Sequence, residues 1–282
     1  MLPLPFRRPP SVVSCLDLAI VPGQRVSWMG RIHNWVSIHY VLKGADHILA
    51  ISETTKNEIV RKAKISPDRI TVTPLSHDRD LYQPVQSPER LSALRSKMGL
   101  RRPYLLSTVS TIWFRKNILN IVKAFGDFKK KDAGRHQLVF TGRKGDPVFY
   151  EEVLALIRDL GLVDDVVITG GIPAEDMATL YSGAELLLFP SLYEGFGMPI
   201  LEAMACGCPV ITANVSAMPE VAGNAGILVD PHSVSEIASA VQKITQNPGL
   251  RKELVEKGFV QAAGFDWAKT ARQTLKVLEK FA

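Results

Sequence analysis

The stretch "LLLFPSLYEGFGMPILEAMACGCPVITAN", residues 186–214, places a tight glycine turn and a helical segment between two short apolar runs. "LLLFPS" and "PVITAN" have the length and the composition of buried strands. Pro199 suits the first turn of a helix between them. A strand, a helix and a second strand in this order predict two parallel strands joined by a crossover helix.

The same alternation of strand and helix extends along the chain. Seven further runs read as strands: "SVVSCLD", "HILAIS", "ITVTP", "YLLSTVS", "HQLVFTG", "DVVITG" and "GILVD". Amphipathic segments such as "NILNIVKAFGDFKKK" lie between most of them. The pattern predicts an α/β protein with parallel sheets that are covered by helices on both faces.

The distribution of these strands indicates two Rossmann-like domains of unequal size. Residues 78–104 combine turn residues, charges and prolines, which is typical of a boundary. Six candidate strands follow this segment, enough for one complete domain, whereas only three precede it. We predict a shortened first domain with its linker over 1–95 and a complete domain over 96–264. Either the first domain is small, or its beginning is missing.

Composition narrows the class of protein. Hydrophobic residues make up 46% and charged residues 22%, as in ordinary globular proteins. Three cysteines without zinc-site spacing favour a reducing cytoplasm. No apolar run approaches the roughly 18 residues of a membrane span, and the N-terminus lacks the features of a signal peptide. The net charge of +6 suits an anionic ligand, an acidic membrane surface or simply a solvated basic surface. No nucleic-acid-binding signature is present.

The glycine turn carries the clearest chemical signal. Gly195 and Gly197 allow backbone N–H groups to approach a ligand closely, and the following helix N-terminus is suited to phosphate. Glu202, in the first turn of that helix, is placed to accept hydrogen bonds from a ribose diol. Glu194, before the turn, is placed to meet other hydroxyl groups. In the simpler alternative, Glu202 only complements the helix dipole and Glu194 is exposed.

A basic pair gives a second chemical signal. Arg115 and Lys116 in "FRKN" end a loop that follows a strand, at the same sheet edge as the glycine turn. Together they match the charge of a diphosphate, and arginine adds a bidentate fork. The alternative is an exposed basic pair without a ligand.

Three segments together resemble a known family. "FPSLYEGFGMPILEAMACGCPVITANVSAMPEVAGNAGILVDP", "STIWFRKN" and "VFTGRKG" are similar to the retaining GT-B glycosyltransferases of the large "group 1" family, glycosyltransferase family 4. The similarity extends from about residue 48 to the C-terminus. It implies a GT-B-like fold with an incomplete N-terminal, acceptor-side domain. It also implies that a C-terminal helix, residues 265–282, crosses back to the N-terminal half.

The resemblance assigns roles to individual residues. It implies that Glu202 binds the nucleotide ribose and that Glu194, with the backbone at 196–197, meets the hydroxyls of the transferred sugar. It further implies that Arg115 and Lys116 hold the diphosphate and stabilise the departing nucleotide. The residues expected to be catalytic are therefore Arg115, Lys116 and Glu194, and those expected to bind the nucleotide-sugar are Glu202, Gly195, Phe196, Gly197, Met198 and Gly142.

The implied reaction transfers a hexose of the mannose or glucose type from a nucleotide-sugar to a saccharide or a lipid-linked saccharide, with retention of configuration. GDP-mannose and UDP-hexoses are the expected sugar donors, and polysaccharide biosynthesis is the expected process. Fixed cations at the diphosphate make a metal ion or other cofactor unnecessary. We expect a cytoplasmic protein, compatible with peripheral contact at the inner face of the membrane, and no nucleic-acid partner.

Departures from the family pattern leave alternatives open. Leu16 stands where relatives have a histidine that reaches toward the sugar, and Ser110 replaces a usual glycine. A non-catalytic remnant that binds nucleotide-sugars is therefore a second hypothesis. Glycoside hydrolysis by the two glutamates is disfavoured by the phosphate-type turn. The Asp-Arg-Asp sequence at 78–80 resembles a metal-binding motif of the other glycosyltransferase fold, but it lies in a linker.

Overall fold

The computed structural model describes residues 9–18, 28–132 and 135–282. Residues 1–8, where the sequence predicts no signal peptide, lie outside the described residues. Contacts group the chain into two compact units, which differ in size. The first comprises the residues up to Leu75 together with Trp267–Ala282, and the second comprises Ser76–Asp266. The second unit is therefore inserted into the sequence of the first.

The described residues contain nine strands, and each coincides with one of the predicted runs. They are β1 Val12–Cys15, β2 His47–Ala50, β3 Ile70–Val72, β4 Tyr104–Ser107, β5 Gln137–Phe140, β6 Val166–Ile168, β7 Leu186–Phe189, β8 Val210–Ala213 and β9 Gly226–Val229.

Eleven α-helices occur in the same described ranges, and none of them combines the length and apolar character that crossing a bilayer requires. They are α1 Trp28–Val36, α2 Glu53–Glu58, α3 Pro88–Lys97, α4 Ile118–Asp132, α5 Pro147–Asp159, α6 Ala174–Ser182, α7 Met198–Ala205, α8 Met218–Ala222, α9 Val234–Gln246, α10 Pro248–Ala263 and α11 Trp267–Leu278. Short π-helical stretches extend α1 and α2, and 3₁₀ turns precede β3 and α4; they are Ser37–Leu42, Ile59–Ala63, Pro67–Arg69 and Phe114–Lys116.

The first unit contains a parallel sheet with the strand order β1-β2-β3. Val12 pairs with His47, and Ile48 pairs with Ile70. All four residues of β2 are buried because this central strand is covered on both faces. An apolar core of residues including Ile48 and Ile59 holds the sheet against the helical segments after β1 and β2.

The second unit contains six parallel strands in the order β6-β5-β4-β7-β8-β9. The chain starts in the middle at β4, continues outward through β5 and β6, and then returns to place β7 on the other side of β4. Leu105 accordingly pairs with Leu138 on one side and with Leu186 on the other. The direction in which successive strands are added reverses between β4 and β7, and parallel sheets bind ligands in the crevice at the carboxyl ends of the strands at such a point.

Burial of the second sheet explains its sequence. Every residue of β4, β5, β7 and β8 is buried. Strands enclosed on both faces form nearly continuous apolar runs, without the alternation of half-exposed strands. On one flank, α4 packs against α9, and elsewhere α7 packs against α10. These layers fix the strand ends from which the candidate site is built.

The contacts of residues 76–95 place them in the second unit, whereas the sequence-based prediction assigned 1–95 to the first domain. The backbone N–H of Val85 donates a hydrogen bond to Ser182 Oγ at 2.9 Å, and α3 packs against α6. This polar, proline-containing segment is therefore part of the second unit and runs along its surface.

Candidate functional site

A cavity of about 660 Å³ lies in the second unit at the crevice between β4 and β7. Its wall is formed by the segments after β4, β5 and β6, by α6 and by the start of α7. The lining residues are Tyr82, Thr108, Val109, Ser110, Thr111, Lys116, Thr141, Gly142, Arg143, Gly171, Ile172, Met177, Tyr181, Met198, Pro199 and Glu202. Four residues predicted from the sequence, namely Lys116, Gly142, Met198 and Glu202, thus share one cavity.

Lys116 and Glu194 form an ion pair beside this cavity. Lys116 Nζ lies 2.6 Å from Glu194 Oε1, and the two side chains are 11% and 10% exposed. The ammonium group also lies 5.1 Å from the centre of the Phe189 ring, a distance at which a cation is attracted to an aromatic face. The two residues approach because the turn after β4 and the turn after β7 leave neighbouring strands at the same edge.

The turn between the two glutamates requires glycine. Gly197 has a φ of +109°, a conformation that side chains rarely adopt, and it caps the N-terminus of α7. A Cβ atom at this position would lie 3.0 Å from Ile200 Cδ1. Phe196 is buried and packs edge-on against the Phe265 ring, with 5.7 Å between ring centres. Met198 and Pro199, the first two residues of α7, line the cavity, so the positive end of the α7 dipole lies at the cavity wall.

Ser216 holds the backbone of Glu194 in place. The N–H of Glu194 donates to Ser216 Oγ at 3.1 Å, and Ser216 Oγ donates in turn to the Glu194 carbonyl oxygen. Ser216 has a φ of +60°, which is uncommon for a residue other than glycine, asparagine or aspartate. Such conformations persist where the surroundings impose them, and they are frequent at functional sites.

Glu202 is held by two tyrosines. Tyr181 Oη donates to Glu202 Oε2 at 2.9 Å and lies 3.2 Å from Thr108 Oγ1. The side chain of Tyr82 lines the cavity beside the same carboxylate. Burial raises the pKa of Glu202, and the hydroxyl groups of both tyrosines oppose this shift because they stabilise the charged form. Burial and the adjacent carboxylate raise the pKa of Tyr181 well above its usual value, so its hydroxyl remains a donor.

Gly142 allows two loops to touch. It has a φ of +118°, and a Cβ atom there would lie 2.2 Å from the carbonyl oxygen of Val109. Its N–H donates to the carbonyl oxygen of Gly170 at 2.7 Å. Since no other residue fits this position without displacing backbone, Gly142 fixes the shape of the cavity wall.

Asn117 ties the basic turn to two other loops. Its side-chain amide donates to the carbonyl oxygens of Pro190 at 2.9 Å and Pro231 at 2.6 Å, and the residue is buried with a φ of +60°. The turn that carries Lys116 is thereby fixed to the segments after β7 and β9.

Arg115 occupies a different position from Lys116. It is half-buried and does not line the cavity, and its carbonyl oxygen accepts a hydrogen bond from Leu192 N–H at 2.8 Å. Arg143 contributes a second basic side chain to the cavity wall, next to Gly171. The expected role of Arg115 at a diphosphate stays a prediction.

Sequence reasoning missed Ser216, Tyr82 and Tyr181. Ser216 and Tyr181 contact their glutamates across 22 and 21 residues of chain, so no local spacing pattern reveals them. A tyrosine within the helical segment "AEDMATLYS" reads as ordinary core, and Tyr82 lies in a segment that reads as linker. The available signal for Tyr82 and Tyr181 was that each lies in a segment that follows a strand.

Comparison with known proteins identifies the family. The profile of the family described as "Glycosyl transferases group 1" matches residues 94–261. O-antigen chain mannosyltransferase B of Escherichia coli is 33% identical over 279 residues, covering 96% of this chain and 71% of that protein. The chain belongs to the group 1 glycosyl transferases. The resemblance inferred from the glycine turn and the basic pair is thus confirmed.

Other relatives of this glycosyltransferase are matched over less of their length. The MMP alpha-(1->4)-mannosyltransferase of Mycolicibacterium hassiacum is 29% identical, and the match covers 85% of this chain and 55% of that protein. A serotype-specific mannosyltransferase WbdA of Escherichia coli is 31% identical, with 28% of its length covered. The chain therefore spans between about a quarter and three quarters of these relatives.

Solved structures confirm the predicted GT-B fold class. Sucrose-phosphate synthase from Thermosynechococcus elongatus superposes with a TM-score of 0.79 at 25% identity, over 95% of this chain and 67% of that one. Anabaena HepE, solved in complex with UDP and glucose, gives a TM-score of 0.82 at 21% identity, over 96% and 71% of the two chains. The parallel sheets of both units are those of this fold.

Proposed function

We propose that this glycosyltransferase moves a hexosyl group from a nucleotide-sugar to the hydroxyl of a saccharide or lipid-linked saccharide, with retention of configuration. The observation that carries the proposal is that Lys116 and Glu202 line one cavity at the glycine turn, with Glu194 paired to Lys116 beside it. A ligand with a ribose at one end, a sugar at the other and phosphates between them meets a matching group at each part.

The proposed chemistry follows from charge development. As the glycosidic bond to the diphosphate breaks, negative charge grows on the leaving nucleotide and positive charge grows on the sugar ring. The ammonium group of Lys116 and the N–H groups at the start of α7 stabilise the first charge, and they do so more in the transition state than in the ground state. The carboxylate of Glu194 orients the sugar hydroxyls, and Glu202 fixes the ribose. With the Lys116 ammonium group and these N–H groups at the diphosphate, the proposed reaction needs no metal ion.

The donor proposed first is GDP-mannose, with UDP-hexoses as the alternative. Mannosyltransferases from two genera are among the relatives, which supports a mannosyl group. A growing polysaccharide or a lipid-linked saccharide is the proposed acceptor, since an O-antigen mannosyltransferase is among those relatives. Synthesis at the cytoplasmic face of a membrane, with peripheral contact, is compatible with the net charge of +6.

Calorimetric titration with GDP, UDP and ADP tests the donor site. We expect one of the three to bind, with affinity reduced in the Glu202→Gln variant, and expect Ser235→Ala, an exposed surface substitution, to bind as the wild type does. Absence of binding by all three contradicts the assignment. The matching nucleotide-sugar is then supplied with oligomannoside acceptors, and the anomeric configuration of the product is read by NMR. An inverted product contradicts the proposed retention.

A second candidate function is binding of nucleotide-sugars without transfer. The observation that favours it is Leu16, whose side chain is 61% exposed at the position where the family resemblance implies a histidine. Binding of a nucleotide-sugar without hydrolysis or transfer to any acceptor would support this candidate. Turnover by the wild type would exclude it.

A further inference from the structure

Tyr82 enters the cavity from outside the part of the chain that the family profile covers. The profile begins at residue 94, whereas Tyr82 belongs to the segment between β3 and α3. Its side chain lines the cavity together with Glu202 and Tyr181. The Tyr82 and Tyr181 rings meet at an angle of 63° with 6.1 Å between their centres, which is an edge-to-face contact.

The segment that carries Tyr82 is fixed to the second unit at several points. Arg79 donates to the carbonyl oxygens of Ala263 and Phe265 at 3.0 and 2.7 Å. Asp78 accepts hydrogen bonds from the N–H groups of residues 80 and 81, and its carbonyl oxygen accepts one from Tyr82 N–H at 2.9 Å. The aspartate thus shapes the turn on which Tyr82 is presented, and the position of its ring is determined by the turn.

The hydrogen-bonding capacity of Glu202 matches this arrangement. A carboxylate offers about four lone-pair positions on its two oxygens. Tyr181 donates one hydrogen bond to it, and the hydroxyl group of Tyr82 lies beside it as a second O–H donor, so that these two phenols account for two of the positions. About two positions remain for a ligand, and a vicinal diol has two O–H donors at matching separation. The two phenols also hold the carboxylate against rotation, so the remaining positions keep a fixed direction.

We propose that Tyr82 is a positioning residue that orients the Glu202 carboxylate for the two hydroxyls of a nucleotide ribose. This inference rests on the proposed nucleotide-sugar function and adds to it a residue from outside the family-matched region. In this proposal Tyr82 acts through Glu202, because it donates its single hydroxyl proton to the carboxylate. Tyr181 supports the same carboxylate from α6.

The charged and titratable groups around Glu202 define the expected pH dependence. Tyr181 faces it from α6, Tyr82 from the connecting segment and Cys206 from the end of α7. Lys116 and Arg143 line the same cavity. Burial raises the pKa of Glu202, and the bond from Tyr82 lowers it. Removing the Tyr82 hydroxyl therefore raises this pKa further, so that binding that depends on the charged carboxylate is lost at a higher pH.

The experiment compares Tyr82→Phe with Tyr104→Phe, a control that removes a buried hydroxyl bonded to the Leu180 carbonyl oxygen; neither of these two residues lines the cavity. Affinity is measured by calorimetry from pH 5 to 8 for whichever of GDP, UDP and ADP binds, and for its 2′,3′-dideoxy analogue. We expect Tyr82→Phe to weaken the ribonucleotide about ten-fold, the effect of losing one hydrogen bond to a charged group. We expect little change for the analogue, which has no diol.

The acid limb of the affinity profile gives a second, independent readout. For Tyr82→Phe it should move to higher pH than in the wild type and in Tyr104→Phe, because the carboxylate protonates more readily. A Tyr82→Phe variant with wild-type affinities and an unmoved acid limb, in a protein whose Glu202→Gln variant binds more weakly, would overturn the inference alone. A wild type that binds none of GDP, UDP and ADP overturns the proposed function, and the inference with it.

Discussion

Lys116 Nζ lies 2.6 Å from Glu194 Oε1, and both side chains are almost entirely buried. The two groups that are proposed to meet the phosphates and the sugar of one ligand therefore also neutralise each other. Buried ions are costly unless they are paired, so each residue keeps the other charged inside the protein. A diphosphate that approaches Lys116 adds a second anion to a cation that already has one, and Glu194 remains beside it.

Breaking this pair should cost stability as well as activity. We expect Lys116→Met to reduce the free energy of unfolding by about 3 kcal/mol, because it leaves the Glu194 carboxylate buried without a counter-ion. The double variant Lys116→Met/Glu194→Gln should recover most of that loss, while activity stays low in both. Urea denaturation and transfer assays of the wild type, both single variants and the double variant measure the coupling. Equal stability of Lys116→Met and wild type would contradict a compensating pair.

Gly142 should be intolerant of even one added methyl group. Gly142→Ala places a Cβ atom 2.2 Å from the Val109 carbonyl oxygen at a φ of +118°. We expect a loss of about 3 kcal/mol or more, since backbone must move in addition to the conformational strain. Gly171→Ala is a matched control in the same cavity wall, because its Cβ would meet only Arg143 side-chain atoms at 3.9 Å. Thermal unfolding of both variants gives the comparison, and equal melting temperatures would refute the steric argument.

Ser216 allows strain and positioning to be separated. Ser216→Ala and Ser216→Gly both remove the hydroxyl that bonds to the Glu194 backbone, but glycine also relieves the φ of +60°. We expect Ser216→Gly to be more stable than Ser216→Ala by about 1 kcal/mol.

Both Ser216 variants should nevertheless lose activity to a similar extent, because each releases Glu194. The measurements are denaturation and steady-state kinetics. If activity instead follows stability, so that Ser216→Gly is nearly as active as the wild type, the Ser216 hydroxyl does not position Glu194.

Glu202 should make stability depend on pH with a defined sign. Its pKa is raised above the ordinary value of 4.5, so the folded protein binds this proton more tightly than the unfolded chain does. The favourable contribution is present while the carboxyl is protonated, and it declines as the pH rises from about the ordinary value through the raised one. Glu202→Gln, which does not titrate, should lack this decline. Urea denaturation between pH 4 and 8 should show the free energy of unfolding of the wild type falling with rising pH relative to that of Glu202→Gln. Parallel pH profiles of stability for the two proteins would count against a raised pKa.

The sequence predicted the parts of the site that local patterns encode. Nine strands followed from short apolar runs between turns, and the glycine turn followed from Gly195 and Gly197, the second of which has a positive φ in the structure. Parallel strands end at one edge, so Lys116 and the glutamates could be expected near each other. The family followed from the same residues.

Contacts between distant side chains were beyond these patterns. The Lys116–Glu194 bond spans 78 residues, and nothing in either local sequence specifies that these two charges pair with each other. Arg115 and Lys116 are adjacent and look equivalent, yet only Lys116 lines the cavity, because consecutive residues in a 3₁₀ turn point in different directions. The attachment of residues 76–95 to the second unit depends equally on distant partners such as Ser182.

The points at which the chain enters and leaves the second unit lie side by side. Ser76 Oγ donates to the Phe265 carbonyl oxygen at 3.0 Å, so the ends of Ser76–Asp266 are adjacent in space although 189 residues separate the bonded pair. A domain with neighbouring ends and its own core can be excised, or grafted into a loop of a host protein, without stretching either connection. The excised domain would contain the cavity, the Lys116–Glu194 ion pair and both Tyr82 and Tyr181.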